Sequence, residues 1–144
     1  ICWWIETMIE DIIIAKGNED IVAMDPQKII ITKSNVAFDD SVIGTNADKS
    51  ANDLSNEIKE ALKSRKKIHV VIRAGDVEDE IIAFGSFDIK ASDKQNIILT
   101  KTDFIDSATI GVKSNKSARQ LSRELVKQLR IPDNLIEIYL RIKE

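Results

Sequence analysis

Residues Ile13 to Ser34 read IIAKGNEDIVAMDPQKIIITKS, and residues Ile81 to Thr102 read IIAFGSFDIKASDKQNIILTKT. They align without a gap at a shift of 68 residues, matching Ala15 with Ala83, Gly17 with Gly85, Asp20 with Asp88, Asp25 with Asp93, Gln27 with Gln95 and Thr32-Lys33 with Thr100-Lys101. One large period of this kind points to an internally duplicated architecture. After a one-residue deletion, Ile43-Gly44 matches Ile110-Gly111 and Lys49-Ser50-Ala51 matches Lys116-Ser117-Ala118. Leu54, Ser55, Glu57 and Leu62 then match Leu121, Ser122, Glu124 and Leu129, and the shift returns to 68 at Ile68 and Ile136. The chain divides into an extension at 1–7, a first repeat at 8–75 and a second at 76–144, with the two repeats forming one domain. Met8 stands just before the repeat and reads as a natural start; alternatively, Trp3 and Trp4 cover an open end of the core.

Ile9 to Lys16, Asp20 to Met24, Lys28 to Lys33 and Val42 to Asn46 are short and rich in β-branched residues, and Gly, Asn, Asp or Pro separates them. They predict four strands. From Ala51, the apolar positions Ala51, Leu54, Ile58, Ala61 and Leu62 fall at helical spacing, as do Ala118, Leu121, Leu125 and Leu129 in the twin. A fifth strand follows at Ile68 to Arg73 and at Ile136 to Ile142, and Ala74-Gly75-Asp76 forms a hairpin joining the halves. About 68 residues make a marginal core on their own. The expected fold is therefore mostly β within the α+β class: two ββββαβ units with pseudo-twofold symmetry in a closed or nearly closed β-barrel with two helices. Two side-by-side α+β sandwiches are the alternative.

The totals narrow the chemistry. With 21 basic and 24 acidic residues the net charge is -3, so only local charge can argue for an anionic partner. One cysteine, Cys2, excludes an internal disulfide, and one histidine, His69, excludes a two-histidine metal motif. No apolar run approaches the roughly 20 residues of a membrane helix. A soluble, cytoplasmic protein without membrane contact is expected.

The pattern "IIIAKG…II.ITKS…IG..ADKSA.DL..E...AL", repeated within one small chain, resembles the archaeal domain of unknown function 371 family from Met8 to about Arg141. The resemblance implies an archaeal origin and a duplicated domain, and it brings no assigned activity. Family members read Gly-His-Pro-Asn after the first strand and Thr-His before the third, where this chain has Gly17-Asn18-Glu19-Asp20 and Met24-Asp25. No catalytic role carries across to those positions, and cofactors stay unknown.

GTNADKSA, Gly44 to Ala51, and its twin GVKSNKSA, Gly111 to Ala118, put Lys-Ser at a helix entrance. Lys49-Ser50 and Lys116-Ser117 are thus candidate anion-binding residues, with the helix dipole and unpaired N–H groups as attractors. A P-loop needs Gly where Asp48 and Asn115 stand, and again where Ile43 and Ile110 stand. Capping explains the same serines, since Ser50 precedes Asp53 and Ser117 precedes Gln120 by three residues. The halves differ in charge. Lys113 to Arg130 holds six basic residues and one acidic, or +5, against three and four, or -1, in Asn46 to Lys63.

On a helix, Lys116, Arg119, Arg123, Lys127 and Arg130 share one sector, a candidate contact for RNA or an acidic protein. A solvated face is the ordinary alternative. Asp20, Asp25, Asp88 and Asp93 could hold Mg²⁺ near a pseudo-twofold axis, or each could simply bond its own turn. The run Asp76, Glu78, Asp79, Glu80 reads as a solvated turn, and His69 as a surface residue. A binding or adaptor module that meets an anionic partner through the second helix is the expected function. The alternative is a phosphate or nucleotide binder, or a Mg-dependent enzyme, with its site between the repeats.

Overall fold

The apolar, β-branched runs become strands because extended backbone packs branched side chains well, and alternation buries one face of each. The computed structural model describes residues 8–143; the expectations for Ile1 to Thr7 lie outside them. The strands are β1 (Met8–Lys16), β2 (Lys28–Thr32), β3 (Val42–Gly44), β4 (Lys67–Ala74), β5 (Val77–Phe84), β6 (Asn96–Thr100), β7 (Thr109–Gly111) and β8 (Leu135–Lys143). The helices are α1 (Asn56–Leu62) and α2 (Arg123–Leu129). The fold is mostly β with two short helices, as the composition of the runs predicts.

The strands form two four-stranded sheets, ordered β1-β8-β4-β5 and β3-β2-β6-β7. The first is antiparallel throughout, and each of its strands neighbours one from the other half of the chain. In the second, β2 and β6 pair antiparallel at the centre, and β3 and β7 lie parallel to them at the edges. Ile13, Ile81, Ile72, Ile138, Ile29 and Ile97 are fully buried in one core cluster with Leu62 and Leu129. At β4–β5, Gly75 takes φ +60 in a two-residue loop, the position where a type II′ hairpin turn favours glycine.

The barrel expectation is corrected. No closed barrel forms among the described residues; apart from side-chain packing, the sheets meet at single bridges, Lys16 with Thr45 and Phe84 with Val112. The expected second strand, Asp20 to Met24 with its twin at 88–92, is a loop in both halves. Ile21 N donates to the Asn18 carbonyl, and Ala23 and Ala91 sit in the left-handed region at φ 51 and 48, which interrupts extended pairing. Alternation there is real, with Ile21 and Ala23 buried and Val22 and Met24 exposed, but it reports burial alone.

Each expected helix also splits. A single 3₁₀ turn, Ala51–Asp53 or Ala118–Gln120, comes first; Leu54 and Leu121 are extended, and the α-helix starts only after a second cap. Ser55 Oγ accepts from Ile58 N and Ser122 Oγ from Leu125 N, both at 3.1 Å. Each α-helix is therefore two turns long, held by burial of Ile58 and Leu62, or Leu125 and Leu129, more than by propensity.

The halves interlock through their first loops. Asn18 N donates to Leu129 O, and Ser86 N donates to Leu62 O, so each loop satisfies a C-terminal helix carbonyl of the other half. A Cβ on Gly17 would come within 2.2 Å of Ile131 O, and one on Gly85 within 2.1 Å of Ser64 O. Glycine is required at both positions by close approach.

Candidate functional site

The Lys-Ser pairs at the 3₁₀ entrances are engaged internally. Lys49 Nζ donates to Asp11 Oδ1 at 2.5 Å and to Ile12 O at 2.9 Å, while Asp11 Oδ2 accepts from Ser55 N at 2.9 Å. Lys116 Nζ, Asp79 and Ser122 N repeat this arrangement, at 2.5 Å and 2.9 Å. The side chains of Asp11 and Asp79 are only 9% and 13% exposed. Each carboxylate ties its strand to the entrance of the helical segment, and it occupies the lysine that an anion would need. Asp79 is thus no part of a solvated turn. Asp11 and Asp79 were functional to the fold and absent from the sequence candidates; their match at a shift of 68 inside apolar strands was the available signal.

Ser50 and Ser117 cap as expected, through the partner three residues on. Asp53 Oδ2 accepts from both Ser50 N and Ser50 Oγ at 2.9 Å, and Lys33 Nζ adds a third bond at 3.1 Å. The Ser50 backbone bond, then the Lys33 and Ser50 side-chain bonds, lower the Asp53 carboxyl to about 2. Gln120 Oε1 takes the same place in the second half, accepting from Ser117 N at 3.0 Å and Lys101 Nζ at 2.9 Å. Asp48 and Asn115, one step before the lysines, bond Ile14 N and Ile82 N at 2.9 Å and so cover the outer edges of β1 and β5.

The basic stripe divides. The Arg123 guanidinium donates to the carbonyls of Ala23, Ala118, Arg119 and Leu121 at 2.8 to 3.3 Å, and Arg130 Nη2 reaches Glu19 O at 3.4 Å. These arginines hold the Glu19–Asp25 loop of the first half. Arg119 and Lys127 stay exposed. The four aspartates are not gathered: Asp25 Oδ1 bonds Gln27 N and Lys28 N, Asp93 Oδ1 bonds Gln95 N and Asn96 N, and the described residues contain no group of three or more potential metal ligands. His69 is half-buried on the outer sheet face with Nδ1 3.4 Å from Glu80.

The largest asymmetry lies elsewhere, at the corners where the sheets meet. In the second half, Phe84, Ile105 and Val112 floor a groove of about 580 Å³, with Arg65, Lys113, Asp88 and Asp103 around them. The matched residues in the first half are Lys16, Ala37, Thr45, Asn46, Asp20 and Asn35. There the Asn18 side chain spans to Asn35 O at 3.1 Å and ties the two loops together, and Thr45 Oγ1 bonds Lys16 O at 3.1 Å. Ser86, matched to Asn18, is too short to span; its Oγ accepts from Asp88 N at 3.4 Å, as Asn18 Oδ1 accepts from Asp20 N at 2.8 Å. Beside the open corner runs Lys63-Ser64-Arg65-Lys66-Lys67, with all four cations exposed. Beside the tied corner the chain reads Arg130-Ile131-Pro132-Asp133-Asn134. A volume of this size suits a small ligand or a piece of a larger one.

Residues 13–143 match the family model described as domain of unknown function (DUF371). The chain is 36% identical over 129 residues, 88% of its length, to uncharacterized protein MJ0206 of the archaeon Methanocaldococcus jannaschii, 96% of which is covered. No helix among the described residues is long and apolar enough to cross a membrane. The chain belongs to this family of unknown function.

Proposed function

We propose that this member of the family is a binding module for an anionic partner, working in the cytoplasm, and that the partner enters the second-half groove instead of lying along α2. The observation that carries the reading is the contrast between corners. The first is bridged by Asn18 and lined by Lys16, Ala37 and Thr45; the second is open, floored by Phe84, Ile105 and Val112, and bordered by Arg65 and Lys113, with Lys66 and Lys67 continuing from Arg65 toward His69 and Lys143. The matched corner puts Lys16, Ala37 and Thr45 at the floor positions and Asn46 in place of Lys113, so the fold is built there without the larger apolar groups or that cation. A pseudo-twofold duplication accounts for the shared plan, and divergence of one copy accounts for the groove.

Reversing Arg65 and Lys113 to Glu should lower the salt concentration at which the protein leaves a heparin column and leave its melting temperature nearly unchanged. Reversing Arg119 and Lys127, the outward part of the α2 stripe, should leave elution closer to wild type. Equal or larger loss from the α2 pair would move the contact back to the helix.

A further inference from the structure

Two rim side chains narrow the class of anion. Phe87 and Phe104 are the most exposed large apolar side chains of the described residues, at 71% and 70%. Phe87 stands between groove residues Ser86 and Asp88, and Phe104 between Asp103 and Ile105. The matched positions hold Glu19 and Val36. The Arg65 guanidinium lies over the Phe87 ring, 5.6 Å from its centroid, so cation and aromatic face are presented together. Exposed aromatic faces beside a line of cations suit unstacked bases on a charged backbone.

The groove carboxylates fix which part of such a ligand goes inside. Asp88 and Asp103 repel phosphate and accept hydrogen bonds from the N–H edge of a base or from a sugar hydroxyl. Phosphates belong outside, along the exposed Arg65, Lys66 and Lys67. A duplex hides its base faces, and an acidic peptide brings carboxylates with no planes to stack. We infer that the groove takes single-stranded nucleic acid, with one base over the Phe84, Ile105 and Val112 floor, its neighbours on Phe87 and Phe104, and phosphates on the Arg65–Lys67 run and Lys113. This inference rests on the groove reading above.

Fluorescence anisotropy on the full chain tests it, using a labelled single strand of about eight nucleotides, with duplex, heparin, polyglutamate and adenosine monophosphate as competitors. The single strand should compete best. Joint Phe87→Ala and Phe104→Ala replacement should weaken it roughly tenfold or more, with an unchanged circular dichroism spectrum. Each of Lys66→Ala and Lys113→Ala should flatten the log–log salt dependence by about 0.7.

If duplex, heparin or polyglutamate compete equally and the phenylalanine variant binds as wild type, the strand inference is overturned. The groove reading then survives only where Arg65→Glu with Lys113→Glu still abolishes polyanion binding. Monophosphate binding with no gain from a longer strand overturns it in favour of a single-nucleotide site. No binding of any probe removes both readings.

Discussion

The corner at Lys16 and Thr45 and the corner at Phe84 and Val112 share one backbone plan, a single bridge between sheets beside a loop that caps the opposite helix. They differ in what fills them. Asn18 ties the first shut across to Asn35, whereas Ser86 leaves the second open over an apolar floor. Where two sites carry the same structural duties, the side chains that only one of them has are the ones packing does not explain. Phe84, Phe87, Phe104 and Arg65 meet that description, whereas Lys49 and Lys116, alike in both halves, serve the fold.

The comparison can be broken at several points. The largest effect is expected where the halves agree. Asp11→Ala and Asp79→Ala each strand a partly buried lysine and the N–H of Ser55 or Ser122, and each should cost about 3 kcal/mol in urea unfolding. A loss confined to one of them would show that the clamps are not equivalent. Gly17→Ala and Gly85→Ala force a Cβ against a backbone carbonyl and should cost about 2 kcal/mol each.

Next come the corners themselves. Asn18→Ser should cost about 1 kcal/mol by removing the bridge to Asn35. Ser86→Asn, which offers the second corner the same bridge, should leave stability within about 0.5 kcal/mol while reducing polyanion binding.

The smallest effect concerns acid. The Asp53 carboxyl sits at about 2 in the folded protein, below its ordinary 3.8. Its contribution is therefore full above about pH 4 and fades as pH falls through the folded value. Asp53→Gln, which copies Gln120, should flatten the acid limb of the stability curve between those limits, read by thermal denaturation. An unchanged limb would show that the Ser50 and Lys33 bonds do not persist in solution.

Much of the fold was legible along the chain. The β-branched runs mark β1, β2, β3, β4 and β8 closely, β6 and β7 follow from the segments that match β2 and β3, β5 follows from the hairpin at Gly75, and the serines mark caps. The missed features are non-local. Alternation at Ile21 and Ala23 signals burial, but no local pattern shows that Ala23 turns into the left-handed region instead of pairing. The angular count that gathered Lys116, Arg119, Arg123, Lys127 and Arg130 assumed one continuous helix. Extended Leu121 breaks it, so Arg123 begins a new helix and swings onto carbonyls of another loop.

The groove was visible only in pieces. Phe84 for Lys16, Ile105 for Ala37 and Val112 for Thr45 are three scattered mismatches between the aligned segments, and their meaning appears once β5, the 103–105 loop and the chain after β7 converge beside Arg65.

Amide chemical-shift mapping by NMR during titration with a single-stranded octanucleotide tests the central claim most directly. The account predicts shifts at Gly85–Asp88, Asp103–Ile105, Lys113 and Arg65–Lys67, with Gly17–Asp20, Asn35–Ala37 and Asn46 unmoved. Shifts concentrated on α2, or equal at both corners, would contradict it.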